Sequence, residues 1–259
     1  MGQQTQASRI EIFLPRFLKR FQTIEALASA KKSDVIRMWQ GLGYNRRALN
    51  LQQAAIKLSN KPFPKTEEKL LALPGIGNYT ARAILIFAFN KSIATVDVNI
   101  ERVLSRLYKK RPDTGTMLPK KEVLSLAEAI IPVQQSRLWH EALMDFGATI
   151  CTKRNPHCNE CPLFNECKSG KTLINNITFP SKNKTYEEIK YFGYPKRIWR
   201  GRVLKLIASN DGIREFSIRK SLPASERKSE FTHFLRRILD ELIKDGFCKK
   251  NKKNEYHLA

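Results

Sequence analysis

The stretch Leu73-Pro74-Gly75-Ile76-Gly77-Asn78-Tyr79-Thr80-Ala81 decides how this chain is interpreted. It separates a short helical pattern, Glu67 to Ala72, from a longer one, Tyr79 to Phe89. Glycines two residues apart let backbone N–H groups approach a ligand, because no Cβ stands in the way. At the start of a helix such amides form an anion site suited to a phosphate. A plain turn is the alternative, but helix–hairpin–helix spacing in a basic chain favours the phosphate site.

Outward from this hairpin the pattern is helical from Ile10 to about Gly147, and Gly and Pro punctuate it regularly. Beyond Pro195, three helical stretches and a basic hairpin form a winged-helix pattern, whose usual ligand is duplex DNA. The helical stretches are Ile198 to Ala208, Ile213 to Leu222 and Phe231 to Ile243, and the hairpin joins Phe247–Lys250 to Glu255–Leu258. A protein-binding winged helix is the alternative. We therefore predict a mostly α fold with these parts: a helical body (1–150) with its helix–hairpin–helix (67–89), a cysteine loop (151–167), a linker (168–195) and a winged-helix-like domain (196–259).

The charge of the chain points to a polyanionic partner. Of 259 residues, 47 are Lys or Arg and 24 are Asp or Glu, a formal net charge of +23. Contacts between such cations and phosphates release counterions, which favours nucleic acid, although an AT-rich genome would also enrich lysine. We find no apolar run long enough for a membrane helix, and the polar start at Met1 to Gln6 is no signal peptide. These features predict an intracellular protein, cytoplasmic and associated with the nucleoid.

Asp97 stands 20 residues after Gly77, in Thr95-Val96-Asp97-Val98-Asn99. A carboxylate here has two possible roles. Asp is a favoured N-cap residue, and from Asp97 alone that role is the better supported. The functional alternative is a carboxylate that faces a DNA sugar.

Four of the five cysteines fall in the run Cys151-x6-Cys158-x2-Cys161-x5-Cys167. Clustering of this kind in an intracellular chain indicates metal, not disulfides. Zinc ribbons usually carry two Cys-x2-Cys pairs, and only one is present. Four thiolates within 17 residues can surround a 4Fe-4S cluster, which we favour over a zinc site or no metal.

Together, in this order, these motifs resemble the helix–hairpin–helix DNA glycosylases of the endonuclease III and adenine glycosylase superfamily. The resemblance covers roughly residues 1–167 and is closer to the adenine glycosylases, which remove adenine mispaired with 8-oxoguanine. It rests on the following segments: Gln3 to Gln6, Trp39 to Tyr44, Leu73 to Ala81, Val96 to Asn99, Leu143 to Gly147 and the four cysteines.

The resemblance implies roles by position. Asp97 matches the carboxylate that stabilises the oxocarbenium-like sugar, and Asn99 and Tyr79 match residues that support it. Tyr79 stands where strand-cleaving relatives have the lysine that forms a Schiff base, so we expect a monofunctional enzyme. The matching DNA-binding positions are Gln3, Gln4, Thr5 and Tyr44, of which Gln4 and Tyr44 would enter the base stack as a nucleotide is flipped out. Gly75, Ile76 and Gly77 match the hairpin that would hold a phosphate. The implied partner is duplex DNA with a mismatched or damaged base, bound by a monomer.

Two departures from the family pattern bear on activity. The relatives place an acid-donating glutamate just before the segment matching Met1 to Gln6, whereas this sequence begins at Met1. We therefore expect weak excision by the chain as written, since general acid catalysis contributes ~10²–10⁴-fold. Residues 196–259 are also too short and too helical for the family's Nudix-like domain. The alternatives are a thymine or uracil glycosylase acting on G mismatches, and a non-catalytic iron–sulfur protein that binds DNA.

Overall fold

A computed structural model describes residues 1–3, 5–109, 117–175, 188–223 and 229–259, and confirms a mostly helical chain. The helices are α1 Ala7–Arg20, α2 Ile24–Ala28, α3 Lys32–Trp39, α4 Arg46–Leu58, α5 Glu67–Leu71, α6 Asn78–Phe89, α7 Val98–Tyr108, α8 Lys120–Ile130, α9 Ser136–Thr149, α10 Gly170–Asn175, α11 Lys196–Ser209, α12 Glu215–Lys220 and α13 Ser229–Lys244. The strands are β1 Lys190–Tyr191, β2 Tyr194–Pro195, β3 Ile213–Arg214, β4 Cys248–Lys250 and β5 Glu255–Leu258.

The chain divides into two compact units. The first joins Met1–Phe63 to Tyr186–Ala259, and the second is Pro64–Thr185. The predicted boundaries of the four sequence segments stay a prediction. Within the predicted linker 168–195, α10 lies at one end and the β1–β2 hairpin at the other, and residues 176–187 lie outside the described chain.

The end of the chain has the winged-helix order of elements, α11-β3-α12-α13-β4-β5, with an antiparallel sheet in the order β3-β5-β4. This confirms the predicted winged-helix-like fold. The sequence pattern missed β3, since we expected one helix from Ile213 to Leu222. Ile213 instead pairs with Tyr256, and α12 begins at Glu215. A two-residue strand is too short to show the alternation that predicts strands.

The two segments of the first unit share a core. Ile36 of α3 and Leu49 of α4 are buried in the same cluster as Trp199, Leu235 and Leu239 of the winged helix. Apolar surface that the two segments bury together stabilises their association. The winged helix is therefore packed against the N-terminal segment and not merely joined to it through the chain. A separate cluster around Phe17, Phe21, Leu27, Val35 and Trp39 holds α1 to α4 together.

The second unit is built around α7, which packs against α8 and α9. Ile100 and Leu104 are buried with Val123 and Ala127 of α8. In the described residues of the chain, no helix is both long enough and apolar enough to span a bilayer.

Candidate active site and nucleic-acid interface

The glycine hairpin lies in the second unit, between α5 and α6, where the sequence predicts it. Gly75 has φ +81°, a left-handed conformation that side chains other than glycine rarely adopt. Gly77 is the N-cap of α6 and supplies no side chain, and a Cβ built there would meet nothing within 4 Å. Gly75 and Gly77 are exposed and Ile76 is half-buried. The start of α6 is therefore open to a ligand that seeks the positive end of a helix.

Arg82 fixes this hairpin to the segment that leads to Asp97. Its Nε donates to Glu67 Oε1 at 3.0 Å, and its Nη1 donates to Ala94 O at 2.9 Å and to Glu128 Oε1 at 2.9 Å. One guanidinium thus joins α5, α8 and the loop before α7.

Asp97 is the N-cap of α7, as the local pattern favours. Its Oδ1 accepts from the backbone N of Asn99 at 2.9 Å and of Ile100 at 2.8 Å. Among the described residues, Oδ2 has only a 3.4 Å contact from Asn99 Nδ2. The half-buried carboxylate therefore caps the helix through one oxygen, and among the described residues the other oxygen has only a long contact.

Tyr79 lies in the first turn of α6 and is 46% exposed. Burial raises the pKa of the Tyr79 phenol, and the negative charge of Asp97 raises it further. The phenol therefore stays protonated at neutral pH, and it offers no amine to a sugar aldehyde.

Arg102 ties Asn99 to the last turn of α9 and to the cysteine loop. Its Nη2 donates to Asn99 Oδ1 at 2.7 Å and to Gly147 O at 2.6 Å, and its Nε donates to Cys151 O at 2.8 Å. Burial lowers the pKa of Arg102, but from so high a value that it stays charged. A Cβ at position 147 would lie 2.7 Å from Asn99 Cβ, so only glycine allows α9 this close to α7.

Arg106, one turn further along α7, is fully buried against the cysteine loop. Its Nη1 donates to Thr152 O at 2.7 Å and contacts Cys151 Sγ at 3.4 Å. The same helix thus begins at Asp97 and holds the loop that follows Cys151.

All four cysteines of the run are free thiols and line one cavity. The other walls are mostly apolar, from residues such as Phe146, Leu163 and Leu173. Burial raises the pKa of Cys158, and the other three sulfurs raise it further, so a positive partner in the cavity would favour its thiolate. Within the described ranges, no group of three or more His, Cys, Asp or Glu side chains is arranged to hold a single metal ion. Four sulfurs around one apolar cavity do fit the donor set of a cluster, as Cys ligation requires.

His140 of α9 is buried beneath the segment before Asp97. Its Nε2 accepts from the backbone N of Thr95 at 3.1 Å, while Nδ1 donates to Ser136 O at 2.6 Å. Burial lowers the pKa of His140, which favours the neutral ring that these two bonds require.

The first unit carries the candidate stacking residue, Tyr44. This side chain is 56% exposed, and its backbone has φ +46°, in the region that disfavours residues with a Cβ. Arg47 organises the surroundings: Nη2 donates to Leu42 O and Gly43 O, each at 3.2 Å, and the guanidinium lies 5.8 Å from the Tyr44 ring centroid. A strained, exposed aromatic residue on a braced loop is typical of a functional position.

Arg47 also holds the start of the chain. Nη1 donates to the carbonyls of Met1, at 2.7 Å, and of Gln3, and Nη2 donates to Thr5 Oγ1 at 2.9 Å. Gln3 and Thr5 thereby lie in the same unit as Tyr44, bound to the same arginine. Gln4 lies outside the described residues, so its predicted role has no structural counterpart here.

The sequence pattern did not reveal His140 or four structural arginines, of which Arg102 and Arg106 are buried and Arg47 and Arg82 half-buried. Arg47, Arg82, Arg102 and Arg106 are indistinguishable in the sequence from the many surface cations of this chain. The spacing of Arg102 and Arg106 places them on one face of α7, but nothing in the pattern shows that this face is buried. Their roles follow only from what the rest of the fold brings against them.

Comparison with known proteins gives consistent matches. The family model for HhH-GPD superfamily base excision DNA repair proteins matches residues 1–130. The adenine DNA glycosylase of Buchnera aphidicola subsp. Baizongia pistaciae is 38% identical over 72% of this chain and 53% of its own length. That of Mycolicibacterium smegmatis is 30% identical over 100% of this chain and 85% of its own. The chain thus spans about half the length of the first relative.

Among solved structures, a non-covalent endonuclease III–DNA complex has a TM-score of 0.58 and 26% identity, covering 66% of this chain and 80% of that one. A thermostable thymine-DNA glycosylase has the same TM-score and coverage, with 28% identity.

Proposed function

Because this chain belongs to the HhH-GPD superfamily of base excision DNA repair proteins, we propose that it is a DNA N-glycosylase. Its substrate would be duplex DNA with a mispaired base, adenine opposite 8-oxoguanine or guanine by preference. The observation that carries the proposal is that the two carboxylate oxygens of Asp97 have different surroundings. One oxygen caps α7, and the other has only a long contact from Asn99 among the described residues.

In the reaction, the bond between C1′ and the base nitrogen breaks and the base leaves with the electron pair, taking up a proton. Water then adds to C1′ and loses a proton, which leaves an abasic site. Asp97 would stabilise the cation that develops on the sugar, since a fixed anion in a partly dehydrated site is far more effective than one in water. The cap holds that carboxylate in place before the substrate arrives.

Tyr79 would support Asp97 and limit the chemistry to base removal. A phenol cannot form an imine with the opened sugar, so strand cleavage through a Schiff base is not expected. Asn99 would hold its position through Arg102, which donates to its Oδ1.

Two surfaces would hold the DNA. The exposed hairpin at Gly75 to Gly77 would bind a backbone phosphate with its amides. Gln4 and Tyr44 would enter the base stack and fill the gap left by the flipped nucleotide, and Gln3 and Thr5 would contact the DNA beside them. The protein would act as a monomer on the chromosome in the cytoplasm.

We propose further that Cys151, Cys158, Cys161 and Cys167 hold a 4Fe-4S cluster. When bound, such a cluster supplies a cross-link between four thiolates and a redox-active centre. The contribution of the chain is the apolar cavity, with the Arg106 guanidinium 3.4 Å from Cys151 Sγ. The cysteine loop also reaches Asn99 through Arg102, so the cluster would brace the catalytic turn.

A panel of duplexes, each with one mismatch, tests the function. We expect breaks at adenine opposite 8-oxoguanine or guanine, and only after alkali treatment. Asp97→Asn should lower the single-turnover rate by about 10²–10³-fold, the usual effect of removing one electrostatic stabiliser. DNA affinity and thermal stability should persist, because the Asn side-chain oxygen can still cap α7.

Other outcomes identify the alternatives. Breaks at thymine or uracil opposite guanine would replace adenine as the substrate. Tight binding to these duplexes without any abasic site would favour a non-catalytic DNA-binding protein. Full turnover by Asp97→Asn would remove this carboxylate from the mechanism.

A further inference from the structure

A groove of about 970 Å³ runs along the first unit, from the Tyr44 loop to α11 of the winged helix. Tyr44, Gln3 and Asn45 line one part of it, and residues of α11 line the other. The α11 residues are Arg197, Ile198, Arg200, Gly201, Arg202 and Lys205. Asp245 is the one acidic residue among the described groove walls, so the groove is strongly cationic.

Part of this positive charge is already neutralised within the protein. Asp245 accepts from Arg46 at 2.6 Å and from Arg200 at 2.5 Å. These ion pairs fasten α4 and α11 to the turn that follows α13. Arg46 and Arg200 therefore hold the walls of the groove together, and their charges are less available to a ligand than those of the other α11 cations that line the groove.

Three cations of α11 remain available. Among the described residues, Arg197 pairs only with Glu188, at the surface, where ion pairs are weak and easily exchanged. Lys205 is exposed and makes no ion pair in the part of the chain that the structure describes. Arg202 lies 3.9 Å from the Tyr194 ring centroid, and its buried Nη1 has no hydrogen-bond partner among the described residues. These groups suit an anionic ligand.

Gly201 lies between Arg197 and Lys205, one helical turn from each. Glycine inside a helix costs roughly 0.5–1 kcal/mol relative to alanine, yet a Cβ here would meet nothing within 4 Å. Packing within the protein therefore gives no reason for this glycine. Its effect is to leave the backbone of α11 bare between two cations, so that a bulky chain can approach closely.

The position of α11 relative to the Tyr44 loop is set by the shared core of the unit. Ile36 and Leu49 are buried with Trp199 of α11. Arg37 Nε also donates to Ala208 O, at 3.4 Å. A ligand that contacts Tyr44 thus finds the cations of α11 at a defined place.

The third helix of a winged helix, which conventionally enters the major groove, is less suited to DNA here. On α13, Arg236 is paired with Glu215 at 2.8 Å. Its other exposed charges include Glu230 and Asp240 beside Arg237 and Lys244. These opposing charges nearly cancel, unlike those of α11.

We propose that the winged helix binds DNA through its first helix. Arg197, Arg202 and Lys205 of α11 contact successive phosphates of the same duplex whose base stack Tyr44 enters, and Gly201 lets the sugar–phosphate backbone approach. The inference rests on the proposed function, which supplies the duplex. In this arrangement, the C-terminal segment lengthens the surface that contacts DNA along one continuous groove.

The test compares two double variants with equal loss of charge: Arg197→Gln with Lys205→Gln on α11, and Arg237→Gln with Lys244→Gln on α13. Fluorescence anisotropy with a fluorescent mismatch duplex gives the affinity over a range of salt concentrations. Each lost phosphate contact reduces the slope of log K against log salt by about 0.9, so the α11 pair should flatten it by about 1.8. The α13 pair should leave the slope unchanged. Gly201→Gln, which blocks the groove without changing charge, should also weaken binding.

The reverse result, a flatter slope from the α13 pair alone, would establish the conventional winged-helix mode and overturn the inference. Equal effects of both pairs would mean that net charge alone sets the slope, and no effect of either would mean that α11 makes no phosphate contact. Both would overturn it too. A wild-type protein without affinity for duplex DNA would instead refute the proposed function itself. Circular dichroism of each variant checks that it is folded.

Discussion

Replacing Gly147 with alanine tests whether the close approach of α9 to α7 sets the position of Asn99. The new Cβ would lie 2.7 Å from Asn99 Cβ and 3.3 Å from both Asn99 Cα and Arg102 Nη2. Neither Asn99 atom is the end of a flexible side chain, so neither can rotate away. The two helices must separate, and the 2.6 Å bond from Arg102 Nη2 to Gly147 O must lengthen.

The expected change in stability combines one favourable term with two unfavourable ones. Alanine should gain roughly 0.5–1 kcal/mol over glycine inside a helix. Overpacking typically costs 1–3 kcal/mol, and weakening a hydrogen bond from a charged group adds about 1.5–3 kcal/mol at most. We therefore expect Gly147→Ala to lower the free energy of unfolding of the second unit by about 1–3 kcal/mol.

The matched control is Gly201→Ala, also inside a helix, where the new Cβ meets nothing within 4 Å. It should raise the free energy of unfolding by about 0.5–1 kcal/mol. Urea unfolding followed by circular dichroism measures both variants. If the two substitutions stabilise the protein equally, α9 does not depend on glycine for its contact with α7, and the argument for a rigid Asn99 fails.

Two further predictions concern His140 and the cysteines. Burial lowers the pKa of His140, so below about pH 6.5 the unfolded chain takes up a proton that the folded chain does not. Stability should therefore be complete above that pH and fall as the pH drops towards the folded-state pKa, by up to about 1.4 kcal/mol per pH unit. Urea midpoints at several pH values measure this, and a His140→Asn variant with the same acid sensitivity would contradict it. The protein purified without oxygen should be brown and contain iron, and Cys161→Ser should lose colour and iron together. A colourless wild-type protein loaded with zinc would rule out the iron–sulfur assignment.

Much of the fold could be predicted from local patterns in the sequence. Helix periodicity, two glycines before α6 and a basic hairpin near the end are short-range signals, and each marks an element that the structure contains. Asp97 as a helix cap is of the same kind, since the cap and the amides that it accepts from are within three residues. The strand β3 was missed because two residues are too few to form a pattern.

Contacts between distant segments could not be predicted in this way. Ile36 and Leu49 look like the apolar residues of any amphipathic helix, yet they are buried in the same cluster as Trp199, about 150 residues later in the chain. Arg102 and Arg106 look like surface cations, yet they join α7 to the cysteine loop. A sequence pattern reports which face of a helix is apolar, whereas burial and the partner of each polar group depend on which other helix covers it. That choice is made by packing of the whole unit, so only the tertiary structure decides where the cations of α11 lie relative to Tyr44.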